Sequence, residues 1–255
     1  MRVFVTGAAN GIGKATVERL VKRNHKVIAY DIDGEALEEL PEEVETYQGD
    51  VRDRDRLEEV VKQEIFGVLV NCAGFQEQGS VEEMPVEKFE KHMETNFYGT
   101  LNAVKAALPM IRERDGKIIN VSSIAGKSTV PFLGAYSSSK HAVEALSDTL
   151  RMELRDDRVN VVLIEPGPIK TGFNERAEDA LEKYLPDSRY AEKYRKRMEA
   201  KNSGAEPEKA AGVIAGAVEA HRPKARYTVT AQAFFISKLK PLIPEKIYDF
   251  LASRY

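Results

Sequence analysis

The sequence predicts a three-layer α/β/α domain built on a doubly wound parallel sheet of about seven strands, with helices on both faces. Short apolar runs rich in β-branched residues alternate with amphipathic stretches of helical period over the first 170 residues. The runs are almost continuously apolar, as expected of strands covered on both faces. This alternation, with no internal repeat or linker, is typical of successive βαβ units.

The chain order supports this assignment. The predicted strands are 2–6, 26–31, 44–50, 67–74, 117–123 and 159–166, of which 44–50 is the weakest. Helical patterns lie between them at 12–24, 34–40, 53–65, 86–113 and 136–156. After residue 170 come a charged segment at 174–201, a helix over 205–220 with Pro207 in its first turn, and a short strand at 226–230. We expect residues 1–255 to form one domain, with an insertion near 172–205 and an apolar extension near 231–255.

Composition excludes several classes of protein. The net charge of −3 gives no electrostatic reason to expect nucleic-acid binding. A single cysteine, Cys72, excludes an intramolecular disulfide and fits a reducing compartment. No run approaches 18 apolar residues and no secretory signal is evident, so a cytoplasmic location is expected. The four histidines are scattered, and we expect no metal site.

A glycine-rich turn, VTGAANGIGKA at 5–15, joins the first strand to the first helix. Glycine lets the backbone turn tightly and approach a pyrophosphate, and the helix N-terminus favours the phosphate charge. A strand before the turn and a helix after it predict a dinucleotide site. The residues expected to contact the dinucleotide here are Gly7, Asn10, Gly11, Ile12 and Gly13.

Asp31 ends the second strand, 18 residues beyond Gly13. A carboxylate at this position accepts hydrogen bonds from the adenosine ribose and repels a 2′-phosphate. No basic residue stands at Asn10 or Ile32, so the predicted cofactor is NAD rather than NADP. The alternative is that Asp31 only caps the next helix, for which Asp33 is better placed.

The stretch YSSSK places Tyr136 and Lys140 four residues apart, on one face of a predicted helix. Taken alone, this pair is more simply explained by chance at a serine-rich helix N-terminus. However, the strand ends NCAG (71–74) and NVSSIAG (120–126) are expected to converge on the same edge of the sheet.

Together these motifs resemble those of the short-chain dehydrogenase/reductase family, in its single-domain branch with a Rossmann fold. The matching stretches cover the first two thirds of the chain: TGAANGIG, NCAG, Asn96 in METNFYG, Ser123 in NVSS, YSSSK and EPGPIKT. The resemblance implies an NAD(P)-dependent oxidoreductase that moves a hydride between a nicotinamide cofactor and a secondary alcohol or ketone.

The resemblance also implies catalytic roles. Tyr136 would be the acid/base, and Lys140 would lower its pKa and hold the nicotinamide ribose, since an unperturbed phenol is a poor base at neutral pH. Ser123 would bind the substrate oxygen, with Ser122 as competitor. Asn96 would hold a water that relays protons to Lys140; its alternative role is a local bond to helix backbone.

The remaining cofactor contacts are implied in the same way. Asp50 and Val51 would contact adenine, and Asn71, Ala73 and Gly74 would bracket the ribose. In the EPGPIKT motif, which includes Pro166 and Gly167, Ile169 and Thr171 would bind the carboxamide. Cys72 stands where the family motif usually has a second asparagine, and we interpret it as a small core residue.

The substrate and partners are less determined. Apolar residues around Phe75, Ile124, Val130, Phe132 and the 172–205 segment predict a bulky apolar substrate. The rival function is a non-catalytic NAD-binding regulator on the same fold.

Apolar stripes on helices 86–113 and 136–156 suggest a homodimer or homotetramer. The amphipathic C-terminal stretch could contact a membrane, but packing as a lid or subunit interface is favoured, since Pro241 and Pro244 interrupt it.

Overall fold

One seven-stranded parallel sheet organises the chain in a computed structural model that describes residues 1–171, 181–199 and 204–253. The strands are β1 (Arg2–Thr6), β2 (Lys26–Asp31), β3 (Glu45–Gln48), β4 (Val68–Asn71), β5 (Lys117–Val121), β6 (Asn160–Glu165) and β7 (Arg226–Thr228). Their spatial order is β3-β2-β1-β4-β5-β6-β7, and every neighbouring pair is parallel. The direction of winding reverses between β1 and β4, where such sheets bind ligands.

Helices cover both faces of the sheet. They are α1 (Gly11–Val21), α2 (Gly34–Glu38), α3 (Arg54–Gln63), α4 (Val86–His92), α5 (Gly99–Glu113), α6 (Gly134–Glu153), α7 (Ala191–Glu199), α8 (Pro207–Glu219), α9 (Ala231–Leu239) and α10 (Glu245–Ala252). Helices α1 and α8 pack on one face, and α3, α5 and α6 on the other. The predicted doubly wound fold is therefore confirmed.

The apolar strands are buried on both faces because consecutive side chains point to opposite sides of the sheet. In β1, Val3 and Val5 belong to the core under α1 and α8, whereas Phe4 belongs to the core under α3 and α5. Phe4 packs there against the rings of Phe66 and Tyr30. Two separate cores thus share one sheet.

Several predicted boundaries change. The strand expected over 67–74 ends at Asn71, and the strand expected over 117–123 ends at Val121, so both following motifs lie in turns beyond the sheet. The helix predicted at 86–113 is continuous but contains a π-helical stretch, Met93–Tyr98, between α4 and α5. The expected 172–205 insertion falls partly outside the described residues. Within the described part, no helix has the length and apolarity needed to cross a membrane.

We predict that Leu69→Ala, in the middle of β4, lowers the free energy of unfolding by about 2–5 kcal/mol, because the buried leucine leaves a cavity that the sheet cannot close. Leu69 is fully buried in the core under α3 and α5. Urea denaturation measures the change. The control is Val81→Ala, whose side chain is 69% exposed and which we expect to change stability by less than about 0.5 kcal/mol. Equal stability of the two variants would contradict the position of β4.

Candidate active site

A cleft of about 800 Å³ opens at the carboxyl ends of the central strands. It collects segments that are far apart in sequence, as expected at the point where a doubly wound sheet changes direction. Most residues expected at the site line it. These are Gly7, Asn10, Gly11, Ile12, Gly13, Asp31, Asp50, Val51, Ala73, Gly74, Phe75, Ser123, Ile124, Tyr136, Lys140, Pro166, Gly167, Ile169 and Thr171.

The glycine-rich loop is tightly folded against its surroundings. Gly7 has φ +64°, and a Cβ there would lie 2.5 Å from the Ala73 Cα. A Cβ on Gly13 would lie 1.7 Å from the Gly7 carbonyl oxygen, so the helix can start here only with glycine. Asn10 precedes α1 but donates its amide to Asp33 (3.2 Å) instead of capping the helix. The first-turn N–H groups of α1 are thus suited to bind the phosphates of a dinucleotide.

Asp31 is held rigidly at the rim of the cleft. Its two carboxylate oxygens accept hydrogen bonds from the backbone N–H groups of Ala9 (2.9 Å) and Asp33 (3.0 Å). Asp33, not Asp31, caps α2 by accepting from the Ala36 N–H (3.1 Å). The alternative explanation of Asp31 as a helix cap is therefore wrong. Its carboxylate faces the cleft beside Ile32 and Asp33, neither of which is basic.

A third acid, Asp50, lines the cleft where the resemblance implies an adenine contact. Burial raises the pKa of this carboxyl, but hydrogen bonds from the Arg52 guanidinium (2.6 and 2.9 Å) and N–H outweigh it and hold the pKa below its usual range. The Val51 carbonyl accepts from the Asn102 amide (3.0 Å). Arg52 also lines the cleft but is not among the residues expected there; its position two residues after Asp50 is the only signal for it in the sequence.

Tyr136 lies in the first turn of α6, with its phenol near enough to the Ser123 hydroxyl for the two groups to interact. Burial raises the pKa of Tyr136 to about 12, although the bond to Ser123 lowers it. Ser123 follows β5, and its hydroxyl oxygen also accepts from the Ala125 N–H (3.1 Å). Ser122 lines the cleft too, but its buried hydroxyl has no hydrogen-bond partner among the described residues. The contact with the phenol favours Ser123 over Ser122.

Lys140 lies one turn beyond Tyr136 and is almost completely buried. Its ammonium donates to the Val121 carbonyl (2.9 Å) and lies 5.8 Å from the centre of the Tyr136 ring. Burial lowers the pKa of Lys140 to about 8, against the attraction of Cys72 and Glu144. The expectation that Lys140 depresses the pKa of Tyr136 is not met in this structure, because loss of hydration dominates for both groups.

Asn96 lies in the π-helical stretch and is fully buried behind the cleft. Its side-chain oxygen accepts from the Phe75 N–H (2.9 Å), and its amide donates to the Phe75 carbonyl (3.0 Å) and the Ser139 hydroxyl (2.9 Å). It therefore ties this helix to the cleft wall and to α6 instead of bonding its own helix backbone. A Cβ on Gly74 would lie 3.0 Å from the Asn96 oxygen and 3.7 Å from the Lys140 nitrogen. The water relay stays a prediction.

Three residues expected at the site do not line the cleft. Asn71 accepts from the Thr6 hydroxyl (3.3 Å) and donates to the Asn120 side chain (2.9 Å), so it joins strands instead of lining the site. Phe132 has φ +70° and packs edge-on against Tyr194, with ring centres 4.8 Å apart. This packing turns Phe132 away, and Val130 does not line the cleft either.

The substrate end of the cleft is more polar than expected. Phe75, Ile124 and Leu133 form an apolar wall. Polar and charged residues also line the cleft here: Gln76, Glu77, Gln78, Lys91 and Arg197. Arg197 reaches this place from α7 and donates to the Gln78 side chain (2.6 Å). The described lining is therefore mixed, and it fits a substrate with both apolar and polar parts; the bulky apolar substrate stays a prediction.

A buried histidine holds this wall in place. Nε2 of His92 accepts from the Glu77 N–H (3.0 Å), Nδ1 donates to the Lys88 carbonyl (2.6 Å), and the ring lies 4.4 Å from that of Phe75. The acceptor role at Nε2 requires the neutral ring. Consistently, burial lowers the pKa of His92. Local sequence pattern gives no signal for this role, because Glu77 and Phe75, which His92 holds, lie in a loop 15 and 17 residues away.

Comparisons with known proteins agree with this geometry. The family described as short chain dehydrogenase matches residues 1–182. An NADPH-dependent 3-dehydrocapnine reductase of Ornithobacterium rhinotracheale is 34% identical over 96% of this chain and 93% of that protein. A 3-ketodihydrosphingosine reductase of Bacteroides thetaiotaomicron is 32% identical over 97% of this chain and 95% of that protein.

Solved structures of short-chain dehydrogenases are also similar to this chain. A short-chain dehydrogenase of Streptomyces avermitilis superposes with a TM-score of 0.79 and 25% identity, covering 98% of this chain and 94% of that one. The family match spans well over half of the chain, and the glycine-rich loop, the Ser123–Tyr136–Lys140 cluster and all of the cleft lining except Arg197 lie within it. The chain therefore belongs to the short-chain dehydrogenase/reductase family of nicotinamide-dependent oxidoreductases.

Proposed function

We propose that this protein interconverts a bulky secondary alcohol and the corresponding ketone, with NAD as cofactor and Tyr136 as the acid/base. The observation that carries the proposal is that the Tyr136 phenol and the Ser123 hydroxyl line the cleft together with the buried Lys140 ammonium, which the Val121 carbonyl holds in place. All three groups line one end of the cleft whose other end is the glycine-rich loop.

Ser123, Tyr136 and Lys140 would each have a separate role in the transfer of the hydride and the proton. The bound nicotinamide supplies or accepts the hydride. Ser123 would donate a hydrogen bond to the substrate oxygen, and Tyr136 would transfer the proton that this oxygen gains or loses. Because the pKa of Tyr136 is about 12, the phenol holds its proton at neutral pH and is ready to protonate a forming alkoxide. Lys140, oriented by the Val121 carbonyl, would hold the ribose and stabilise the phenolate that remains.

The lining of the cleft and the names of two relatives support a proposed substrate class. The apolar residues Phe75, Ile124 and Leu133 line the cleft together with polar groups at Gln78 and Arg197. The two relatives are named for 3-dehydrocapnine and 3-ketodihydrosphingosine, and the second name denotes a ketone on a sphingoid base. We infer that this protein takes an amphiphilic ketone or alcohol of similar size, with its apolar part against the wall.

The choice of NAD rests on acidic residues. Asp31 presents a carboxylate, fixed by two backbone N–H groups, where a 2′-phosphate would have to bind, and Asp33 adds a second negative charge at the same rim. Repulsion by these charges opposes NADP. One relative is named as NADPH-dependent, so the preference is a property proposed for this chain and not for the relatives.

Retention of a buried lysine also supports a functional role. Lys140 has a pKa of about 8, so at neutral pH its charged form is held in the fold at a cost of roughly 3 kcal/mol relative to water. The hydrogen bond from the Lys140 ammonium to the Val121 carbonyl offsets only part of this cost. A residue that lowers stability in this way is expected where function needs it.

We predict that Tyr136→Phe reduces kcat for ketone reduction by about 100-fold or more, because the variant lacks the phenol that would supply the proton beside Ser123. Absorbance of NADH at its near-ultraviolet band measures turnover on a panel of short, cyclic and long-chain ketones. NADH binding, measured by fluorescence, stays within about two-fold of wild type, since the phenyl ring keeps its packing. The matched control is Tyr98→Phe, an exposed tyrosine outside the cleft. Tight NADH binding by a wild-type protein that reduces no ketone would favour the regulator instead.

We predict that Asp31→Asn lowers the ratio of kcat/KM with NADH to that with NADPH by about ten-fold or more, since a neutral amide no longer repels the 2′-phosphate. Steady-state kinetics with both cofactors measure the ratio. Asp55→Asn, an exposed acid on α3 outside the cleft, is the control and should leave the ratio unchanged. A wild-type preference for NADPH would refute the assignment of NAD.

We predict that Lys140→Met abolishes turnover yet raises the free energy of unfolding at pH 7 by about 1 kcal/mol, after loss of the Val121 bond is subtracted. The lysine pKa is lower in the folded state (about 8) than in the unfolded state (10.5). The destabilisation of wild type by the buried charged lysine is therefore complete below pH 8 and falls as pH rises towards 10.5. The stability that Lys140→Met gains over wild type thus disappears near pH 10. Urea denaturation of the variant and of wild type at pH 7 and pH 10 measures this difference in stability. A gain over wild type that is smaller at pH 7 than at pH 10 would contradict the prediction.

A further inference from the structure

The C-terminal helices leave a large apolar surface in solvent. Fourteen large hydrophobic side chains are exposed among the described residues, and half of them fall within 18 consecutive positions. These seven, 47–77% exposed, are Phe234, Phe235, Leu239, Leu242, Ile247, Phe250 and Leu251. We call them the C-terminal apolar surface. Single exposed hydrophobics are ordinary, but a cluster of this kind marks a binding surface.

The surface is amphipathic along α10 and continues onto exposed rings of α9. In α10, Ile247, Phe250 and Leu251 share one face at the spacing of successive turns, and no residue of this helix is buried. In α9, the rings of Phe234 and Phe235 lie 5.9 Å apart. The two helices are short, of nine and eight residues, and neither could cross a bilayer.

Hydrogen bonds on the inner side hold these helices against the domain. The Thr230 hydroxyl caps α9 by accepting from the Ala233 N–H (3.1 Å), and the Ser237 hydroxyl donates to Glu165 (2.6 Å). The Tyr248 hydroxyl of α10 donates to the Thr129 carbonyl (2.7 Å). The apolar side chains therefore face outward because the helices are fixed in this orientation.

This stretch is expected to pack as a lid or as a subunit interface, and the described residues of α9 and α10 form no part of the cleft lining. The surface instead lies beside the substrate end. Helix α9 packs against the turn at Ile124–Gly126, and Tyr248 bonds the segment that continues to Leu133. Ile124 and Leu133 are two members of the apolar wall of the cleft.

We propose that the C-terminal apolar surface docks this protein on a lipid bilayer that carries anionic lipids. Lysines 238, 240 and 246 stand among the exposed apolar residues, beside the acids Glu245 and Asp249. Lysine is depleted in protein–protein interfaces, whereas helices that lie in a membrane surface combine large apolar residues with lysines. The basic side chains would meet anionic headgroups while the apolar side chains enter the acyl boundary.

Docking in this orientation would bring the substrate end of the cleft close to the bilayer, so that an amphiphilic ketone could enter it from the lipid. This second part rests on the proposed function. The binding itself does not, and it is measured without substrate or cofactor.

The test is sedimentation with vesicles of phosphatidylcholine alone and with added phosphatidylglycerol. We expect wild type to sediment with the anionic vesicles, and Phe235→Ser/Leu242→Ser/Ile247→Ser to lose at least ten-fold in partitioning. Lys238→Glu/Lys246→Glu should lose binding to anionic vesicles most at low salt. The control, Ile65→Ser/Val81→Ser/Met152→Ser, removes equally exposed apolar side chains elsewhere and should bind as wild type.

Circular dichroism and NADH binding confirm that each variant is folded, and light scattering gives its mass. Wild-type protein that stays in solution with both kinds of vesicle would overturn the proposal, as would equal sedimentation of the two triple variants. If the first triple variant only halves the mass of an oligomer and no protein binds vesicles, the surface is covered by a second copy of this chain and the proposal fails. Vesicle binding without any ketone reductase activity would refute the proposed function and leave the docking intact.

Discussion

A chain of buried hydrogen bonds at the carboxyl ends of the strands is the constraint on which the site depends. Thr6 on β1 donates to Asn71 on β4, Asn71 donates to Asn120 on β5, and Asn120 donates to Ser147 on α6 (2.9 Å). All four groups are buried, so breaking one bond would leave an unpaired polar atom inside the protein. The chain joins three strands on either side of the point where the winding reverses, and it docks α6 on them.

The position of α6 decides the chemistry, because Tyr136 and Lys140 lie on this helix. Ser147 is two turns beyond Lys140, and Asn120 directly precedes Val121, whose carbonyl receives the lysine ammonium. Two adjacent residues of β5 thus hold α6 at two points. Tyr136 meets Ser123 just after the same strand. The proposed catalytic groups are therefore positioned by backbone and buried amides, not by flexible surface side chains.

The two ends of the cleft are built differently. The cofactor end is formed by backbone and by carboxylates held in place through N–H groups, as at Asp31. The substrate end depends on contacts between distant segments, such as Arg197 of α7 on Gln78 and His92 under the loop at Glu77. The first arrangement suits a ligand of constant shape. The second changes whenever the segments that pack there change, which fits relatives of one fold that are named for different substrates.

The amino-acid sequence by itself determined those features whose cause is local. The apolar period set the strands, the glycine spacing at Gly7 and Gly13 set the phosphate loop, and the four-residue step from Tyr136 to Lys140 set their common face. Tertiary structure alone decided the rest. Asn96 bonds a loop 21 residues away, and burial reverses the expected direction of the Tyr136 pKa.

The local sequence pattern likewise did not determine whether a side chain points into the protein, into the cleft or into solvent. Phe132 looks like a pocket residue in sequence, but packing on Tyr194 turns it away; Arg197 looks like solvated charge, but α7 carries it into the cleft. The C-terminal hydrophobics read as a buried extension, yet the bonds of Ser237 and Tyr248 hold them outward. Each outcome depends on which distant surface a segment meets, and residue spacing along one segment carries no information about that surface.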